Sequence, residues 1–211
     1  AQLCLEQDGF SDAIDAARLK YGAGRIGVFL GTSTSGILQT ELAYRHLDPV
    51  TGALPPGFHY AETQNSYSLA GFVMRYLGLS GPSFVVSSAC SSSAKVFANA
   101  ARMMAAGVCD AAVVGGVDSL CLSTLYGFNS LGLVSRFPCR PYDTERDGIS
   151  VGEGAGFVLI ERATPENSAD AMLLLGVGES SDAYHMSTPH PEGLGAKMAM
   201  QRALNSAGLR A

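Results

Sequence analysis

The chain has no Cys-x-x-Cys pair, no basic run, no apolar stretch of membrane-spanning length and no signal-peptide pattern. Each absence removes a class of protein. Five cysteines (Cys4, Cys90, Cys109, Cys121, Cys139) are an odd number and widely spaced, which argues against a disulfide framework or a zinc site and suits a reducing cytoplasm. The balance of 14 basic and 19 acidic side chains gives a net charge of −5, so nucleic acid is not an expected partner. Without a membrane-length apolar run, no membrane is expected either. The chain opens on Ala1 rather than a methionine, which leaves the natural N-terminus open.

Two motif readings fail, one on order and one on pattern. Gly22-Ala-Gly24-Arg-Ile-Gly27 fits the G-x-G-x-x-G pattern of dinucleotide sites, but the apolar strand Ile26–Leu30 follows the glycines instead of preceding them. Gly31-Thr-Ser-Thr-Ser-Gly36 is not G-x-S-x-G, so a serine-hydrolase elbow is not supported. It reads as a flexible loop at a strand's carboxyl end, where α/β sheets tend to meet ligands.

What is present is ordinary globular material, 47% hydrophobic and 16% charged, with enough apolar content for a large core. Short apolar strands alternating with helical patterns predict an α/β layered fold. Ala1–Lys20 reads as one helix packed on the sheet, weakened at Gly9. Asn65–Leu79 reads as a helix, Asp110–Val117 as a buried strand, Ala155–Glu161 as a strand, Ala171–Val177 as a new strand, and Ala196–Ala207 as a helix. His46 and His59 flank a loop over Pro49–Tyr60 and read as surface residues.

The organising stretch is Ser83–Gly107. Phe84, Val85 and Val86 make a short strand, and Ala94, Phe97, Ala98, Ala101, Met104 and Ala105 fall at helical spacing. Ser87 or Ser88 is the expected cap and Gly107 the expected stop. Cys90 then sits in or just before the first helical turn. The unpaired N–H groups and positive dipole end of a helix favour a thiolate, the nucleophilic form of cysteine. Position alone leaves this evenly balanced against a small buried hydrophobe, the usual fate of a free cysteine. Phe128, in the apolar stretch Leu120–Leu133, reads as core packing. Asp143, Glu145, Arg146, Asp147 and Glu153 crowd one loop and read as a structural network around Arg146 rather than an acid–base pair.

Three motifs carry a resemblance. Ser-Ser-Ala-Cys90-Ser-Ser-Ser, Gly115-Gly116-Val-Asp118 and Arg140-Pro-Tyr-Asp143-Thr-Glu-Arg146-Asp147-Gly148 through Gly156 resemble the β-ketoacyl synthase family in order and spacing. Ser180-Ser-Asp182-Ala-Tyr-His185-Met-Ser-Thr-Pro189 is similar to the elongating synthase II type. The resemblance implies a thiolase-like fold of two similar halves, each a mixed sheet with helices. This chain would supply most of the first half, residues 1–162, without its first strand, and residues 163–211 a linker and the start of the second. A piece so cut would expose sheet surface meant to be buried.

The implied chemistry is decarboxylative Claisen condensation of a cysteine-bound acyl group with a malonyl group on acyl carrier protein, in fatty-acid elongation. Cys90 would be the acyl-accepting nucleophile, its backbone N–H a donor to the oxyanion, and Phe128 a wall of the acyl pocket. Neither a metal nor an organic cofactor is implied. The family suggests a homodimer across the strand before Cys90. Its catalytic histidines lie in His-Gly-Thr and Gly-His segments, and neither occurs in these 211 residues. His185 and His190 are therefore expected at the mouth of the site rather than in catalysis, and the piece alone is expected not to complete turnover. The alternatives are a ketosynthase of a polyketide or aryl-polyene pathway, a thiolase, whose cysteine motif differs, and a non-catalytic partner subunit, against which Cys90 argues.

Overall fold

The computed structural model describes residues 1–164, 171–186 and 188–210. In chain order it contains α1 (Gln2–Leu5), α2 (Phe10–Tyr21), a 3₁₀ turn (Ala23–Arg25), β1 (Ile26–Gly31), α3 (Ile37–Arg45), α4 (Tyr60–Thr63), α5 (Tyr67–Tyr76) and β2 (Ser83–Val86). There follow α6 (Ser92–Ala105), β3 (Ala111–Asp118), α7 (Leu122–Ser130), β4 (Gly154–Glu161) and α8 (Leu194–Ser206). The strands form one mixed sheet in the order β2-β1-β3-β4. β1 runs parallel to β2 and β3, and β4 runs antiparallel to β3.

The two-residue period of β1 builds two cores from one strand. Ile26, Val28 and Leu30 face a cluster with Ile14 and Ala17 of α2 and Ala70 and Val73 of α5. Phe29 faces the other way, onto Val96, Ala100 and Met104 of α6. β3 divides likewise, Ala111 and Val113 to the first cluster and Ala112 and Val114 to the second. A strand covered on both faces reads as a continuous apolar run, as β1 and β3 do. Cys109 is buried in the second cluster, where burial pushes its thiol pKa up, so it is a packing residue.

Several expectations need correction. The N-terminal segment is two helices, because Asp8 and Gly9 take left-handed φ values of 55° and 70° and break the run. The helix expected over 65–79 is shorter, since Asn65 Oδ1 accepts the Tyr67 N–H at 3.0 Å and makes a turn there. On α6 the inward residues include Ser92, Val96, Ala98, Ala100 and Met104, whereas Ala94 and Ala105 are exposed. Gly107 does end α6: it takes φ 71°, its N–H reaches Met104 O and that of Val108 reaches Met103 O, a Schellman closure.

The strand expected over 171–177 does not form. An apolar run becomes a strand only beside a partner edge. Here the chain instead lies along α8, where a Cβ at Gly178 would fall 2.0 Å from Ala199 O and one at Gly176 2.5 Å from Ala203 O. Glu179 ties this segment to α6 through ion pairs with Lys95 and Arg102. The junction expected over 163–170 falls mostly outside the described residues. β4 carries the exposed sheet surface: Val158 is 48% exposed, beside an open hollow of about 530 Å³ that Phe97 and Phe157 line. No helix among the described residues is long and apolar enough to cross a membrane.

Candidate active site

Parallel pairing brings three strand ends together. Gly31 is in register with Val86 on one side and Gly116 on the other, so the segments after β1, β2 and β3 share one end of the sheet. Ligands meet α/β sheets at that end.

Cys90 lies between β2 and α6 and is exposed to solvent. It stands two residues before the first residue of α6, with Ser91 as the N-cap. Ser88, one of the two expected caps, instead pairs its hydroxyl with that of Ser91 at 3.1 Å. The turn is tight, since Ala89 has a left-handed φ of 52°. Its carbonyl accepts three bonds: from Ser33 Oγ at 2.7 Å, Ser92 Oγ at 2.6 Å and the Ser92 N–H at 3.1 Å. Ser92 Oγ also accepts the Ser88 N–H at 2.9 Å.

The loop after β1 is not flexible as expected. Thr32 is fully buried and Thr34 is 7% exposed. Both bond Asp118 Oδ1 at the end of β3. The same loop anchors the approach to α7: the Ser119 N–H donates to Thr34 Oγ1 and Ser119 Oγ to Ser35 O. One loop therefore contacts both the turn of Cys90 and the segment leading to the helix of Phe128.

Phe128 is half-buried on α7 and lines an open hollow of about 480 Å³ with Thr124, Gly127 and Leu131. The helix start is held from α3, where Glu41 accepts the N–H groups of Leu122 and Ser123 at 2.9 and 2.7 Å. Bonds from Ser123, from its side chain first and then from the backbone, hold the Glu41 carboxyl below its ordinary pKa. Removing this external cap with Glu41→Ala is expected to cost about 1 kcal/mol, a fall of about 2–4 °C in Tm. Because the folded pKa is lowered, the stabilisation is complete above the unfolded carboxylate value and is lost as pH falls through the lowered one. An unchanged Tm together with an unchanged acid unfolding midpoint would sink this assignment.

The acidic loop is exposed rather than buried, which removes the reason for a network around Arg146. Arg146 donates only to the Asp143 carbonyl among its described bonds, at 2.8 Å. Asp147, held below its ordinary pKa by the Ser135 hydroxyl at 2.6 Å, and Arg140, bonded to Glu145 O, do more to shape the loop. His190 is engaged in its own loop: its N–H donates to Asp182, its Nδ1 accepts the Glu192 N–H, and its ring meets Tyr184 edge-on. His185 is exposed, as are His46 and His59. Among the described residues no three His, Cys, Asp or Glu side chains gather as a metal-binding group.

Sequence reasoning missed Ser33, Glu41 and the bonding of Asp118. Their partners lie 56 to 86 residues away, and no local spacing reports such pairings.

The mixed sheet, the helix starting beneath Cys90 and the turn that presents it define a thiolase-like ketosynthase fold. The chain belongs to the β-ketoacyl synthase family: the model described as "Beta-ketoacyl synthase, N-terminal domain" matches residues 1–166. It is 32% identical over 200 residues to the 3-oxoacyl-[acyl-carrier-protein] synthase 2 of Vibrio cholerae, covering 89% of this chain and 47% of that protein. It is 32% identical over 223 residues to the chloroplastic 3-oxoacyl-[acyl-carrier-protein] synthase I of Hordeum vulgare, covering 97% and 46%. Among solved structures, a ketosynthase in complex with its chain length factor from Xenorhabdus doucetiae matches with a TM-score of 0.81 and 38% identity, over 97% of this chain and 50% of that one. A β-ketoacyl synthase from Burkholderia phymatum gives a TM-score of 0.73 and 28% identity, over 88% and 47%. The chain thus spans about half the length of the relatives it matches.

Proposed function

We propose that this protein is a 3-oxoacyl-acyl-carrier-protein synthase in which Cys90 is the acyl-accepting nucleophile. The observation that carries the reading is the exposed Cys90 thiol on a left-handed turn at the start of α6. The Cys90 thiolate attacks the thioester carbonyl of an acyl carrier protein, and the developing oxyanion is met by the backbone N–H of Cys90. Collapse transfers the acyl group to sulfur and releases the carrier thiolate. In the second stage a malonyl carrier thioester loses carbon dioxide. The carbanion left behind attacks the acyl-enzyme, giving a 3-oxoacyl carrier thioester and free Cys90. Covalent capture splits one difficult step into two. Phe128, beside its open hollow, is read as a wall for the acyl chain.

The partners follow from this chemistry: acyl carrier proteins bearing acyl and malonyl groups, and a second copy of the chain paired across β2. That strand is an outer strand of the sheet, and an open edge is a template for pairing. Sedimentation at micromolar concentration returning a monomer mass would sink the dimer.

A second reading keeps the chemistry and changes the pathway. The identity of 38% to a chain of a ketosynthase–chain length factor complex favours a ketosynthase that works beside a chain length factor in polyketide-type synthesis. Intact-mass analysis of the protein at its family's full length, after incubation with an acyl-carrier-protein thioester, tests the shared step. A gain of one acyl group mapping to the Cys90 peptide is expected; no gain, or a gain elsewhere, overturns the assignment. Addition of malonyl carrier protein then separates the two readings, by release after one round or by repeated extension.

A further inference from the structure

The left-handed φ of 52° at Ala89 costs about 1–2 kcal/mol in an L-residue and persists only where the surroundings over-determine it. Of the donors to its carbonyl, Ser92 belongs to the adjoining helix. Ser33 does not; it reaches across from the loop after β1 at 2.7 Å. That loop is itself fixed by a single carboxylate oxygen. Asp118 Oδ1 accepts the Ser33 N–H at 2.7 Å, the Thr34 N–H at 3.0 Å, Thr34 Oγ1 at 3.0 Å and Thr32 Oγ1 at 3.2 Å. Bonds to a charged acceptor are roughly twice as strong as neutral ones. β3 supplies the fixed frame, since Asp118 is its last residue, paired with Gly154 of β4.

We infer that Asp118 is a positioning residue for Cys90, acting through Ser33 and the Ala89 carbonyl without touching the thiol. Its carboxylate sets the 32–34 loop, the Ser33 hydroxyl sets the Ala89 peptide, and that peptide sets the direction of the Cys90 side chain. The inference rests on the reading of Cys90 as the acyl-accepting nucleophile.

The test uses the protein at its family's full length. Asp118→Ala is expected to slow acyl transfer to Cys90 by about 10- to 100-fold, the scale of a small misplacement of a reacting group, with KM for the acyl carrier thioester within about twofold of the parent. Asp118→Asn, which keeps an acceptor oxygen, is expected to recover most of the rate. Ser33→Ala tests the relay at a site less involved in folding and should slow transfer in the same direction. Ser33→Ala added to Asp118→Ala should cost little more than Asp118→Ala alone, because both act along one path. Alkylation of Cys90 by iodoacetamide, which tolerates many approach directions, should keep its rate and pH profile in all of these variants.

Three results would overturn the relay: full-rate transfer in both single variants, additive losses in the double variant, or an alkylation profile displaced with the transfer rate. Acylation that persists in Cys90→Ser would instead remove the underlying reading of the nucleophile. The two failures are therefore distinguishable.

Discussion

Cys90→Ser is expected to lose acyl capture altogether while keeping the fold. A hydroxyl in place of the thiol is nearly isosteric, and Cys90 is exposed, so no core contact is broken and the circular dichroism spectrum should be unchanged. The chemistry differs sharply. A serine hydroxyl is a weak nucleophile unless a neighbouring base takes its proton. Among the described residues, the side chains that hydrogen-bond at this turn are the Ser33, Ser88, Ser91 and Ser92 hydroxyls, none of which serves as a base near neutral pH. Loss of a catalytic nucleophile leaves only binding and oxyanion stabilisation, so a fall of at least about 10³-fold is expected.

The other cysteines supply the control. Cys109 and Cys121 are buried, and Cys139 is exposed. Cys139→Ser should therefore leave the adduct intact. An acyl adduct of undiminished yield in Cys90→Ser, or its loss in Cys139→Ser, would move the nucleophile elsewhere.

The apolar runs of β1 and β3 were legible because burial on both faces needs no partner information: Ile26–Leu30 and Ala111–Val114 are inward wherever the helices lie. The turn at Cys90 was legible for a related reason, since the change from strand to helical period occurs within a few residues. Ala171–Val177 shows where local pattern stops. Its composition suits a strand, but composition does not name the edge it must pair with, and α8 took that place. The 32–36 loop shows the same limit from the other side. Serine, threonine and glycine read as flexible, yet one aspartate 84 to 86 residues on holds it at four points. Cys90 could thus be picked out from its neighbours in sequence, whereas Asp118, Ser33 and Glu41 emerge only once β3 and α7 are placed beside β1 and α3.

Gly31→Ala is expected to be strongly destabilising. Gly31 closes β1 and is buried, with a φ outside the left-handed region, so alanine meets no conformational objection. The objection is steric. A Cβ there would lie 2.4 Å from the carbonyl carbon of Ser92, 2.5 Å from the Ser93 nitrogen and 2.6 Å from the Ser92 oxygen. These are backbone atoms of the first turn of α6, and they cannot swing aside as a side chain would. Gly116, its register partner on β3, is equally close to Ser93, with a Cβ placed 1.9 Å from Oγ. The paired glycines let α6 begin directly against the sheet, and that contact fixes how far Cys90 stands above the strand ends.

Overpacking of this kind costs about 3 kcal/mol, the upper part of its usual range, or about 6–12 °C in Tm at about 2–4 °C per kcal/mol for a chain of this length. Ser92 would have to shift, and with it the two bonds from Ser92 that hold the Ala89 carbonyl, so acyl capture should fall in the fraction that remains folded. Gly107→Ala separates steric from conformational cost. That glycine has φ 71°, and a Cβ added to it would meet nothing within 4 Å, so its loss is set by backbone strain alone, about 1–2 kcal/mol. It lies at the far end of α6, and capture should be unaffected. Differential scanning calorimetry and the intact-mass assay on both variants decide the matter: a Tm loss in Gly31→Ala no larger than in Gly107→Ala, with normal acyl capture, would mean that α6 does not rest on the β1 terminus.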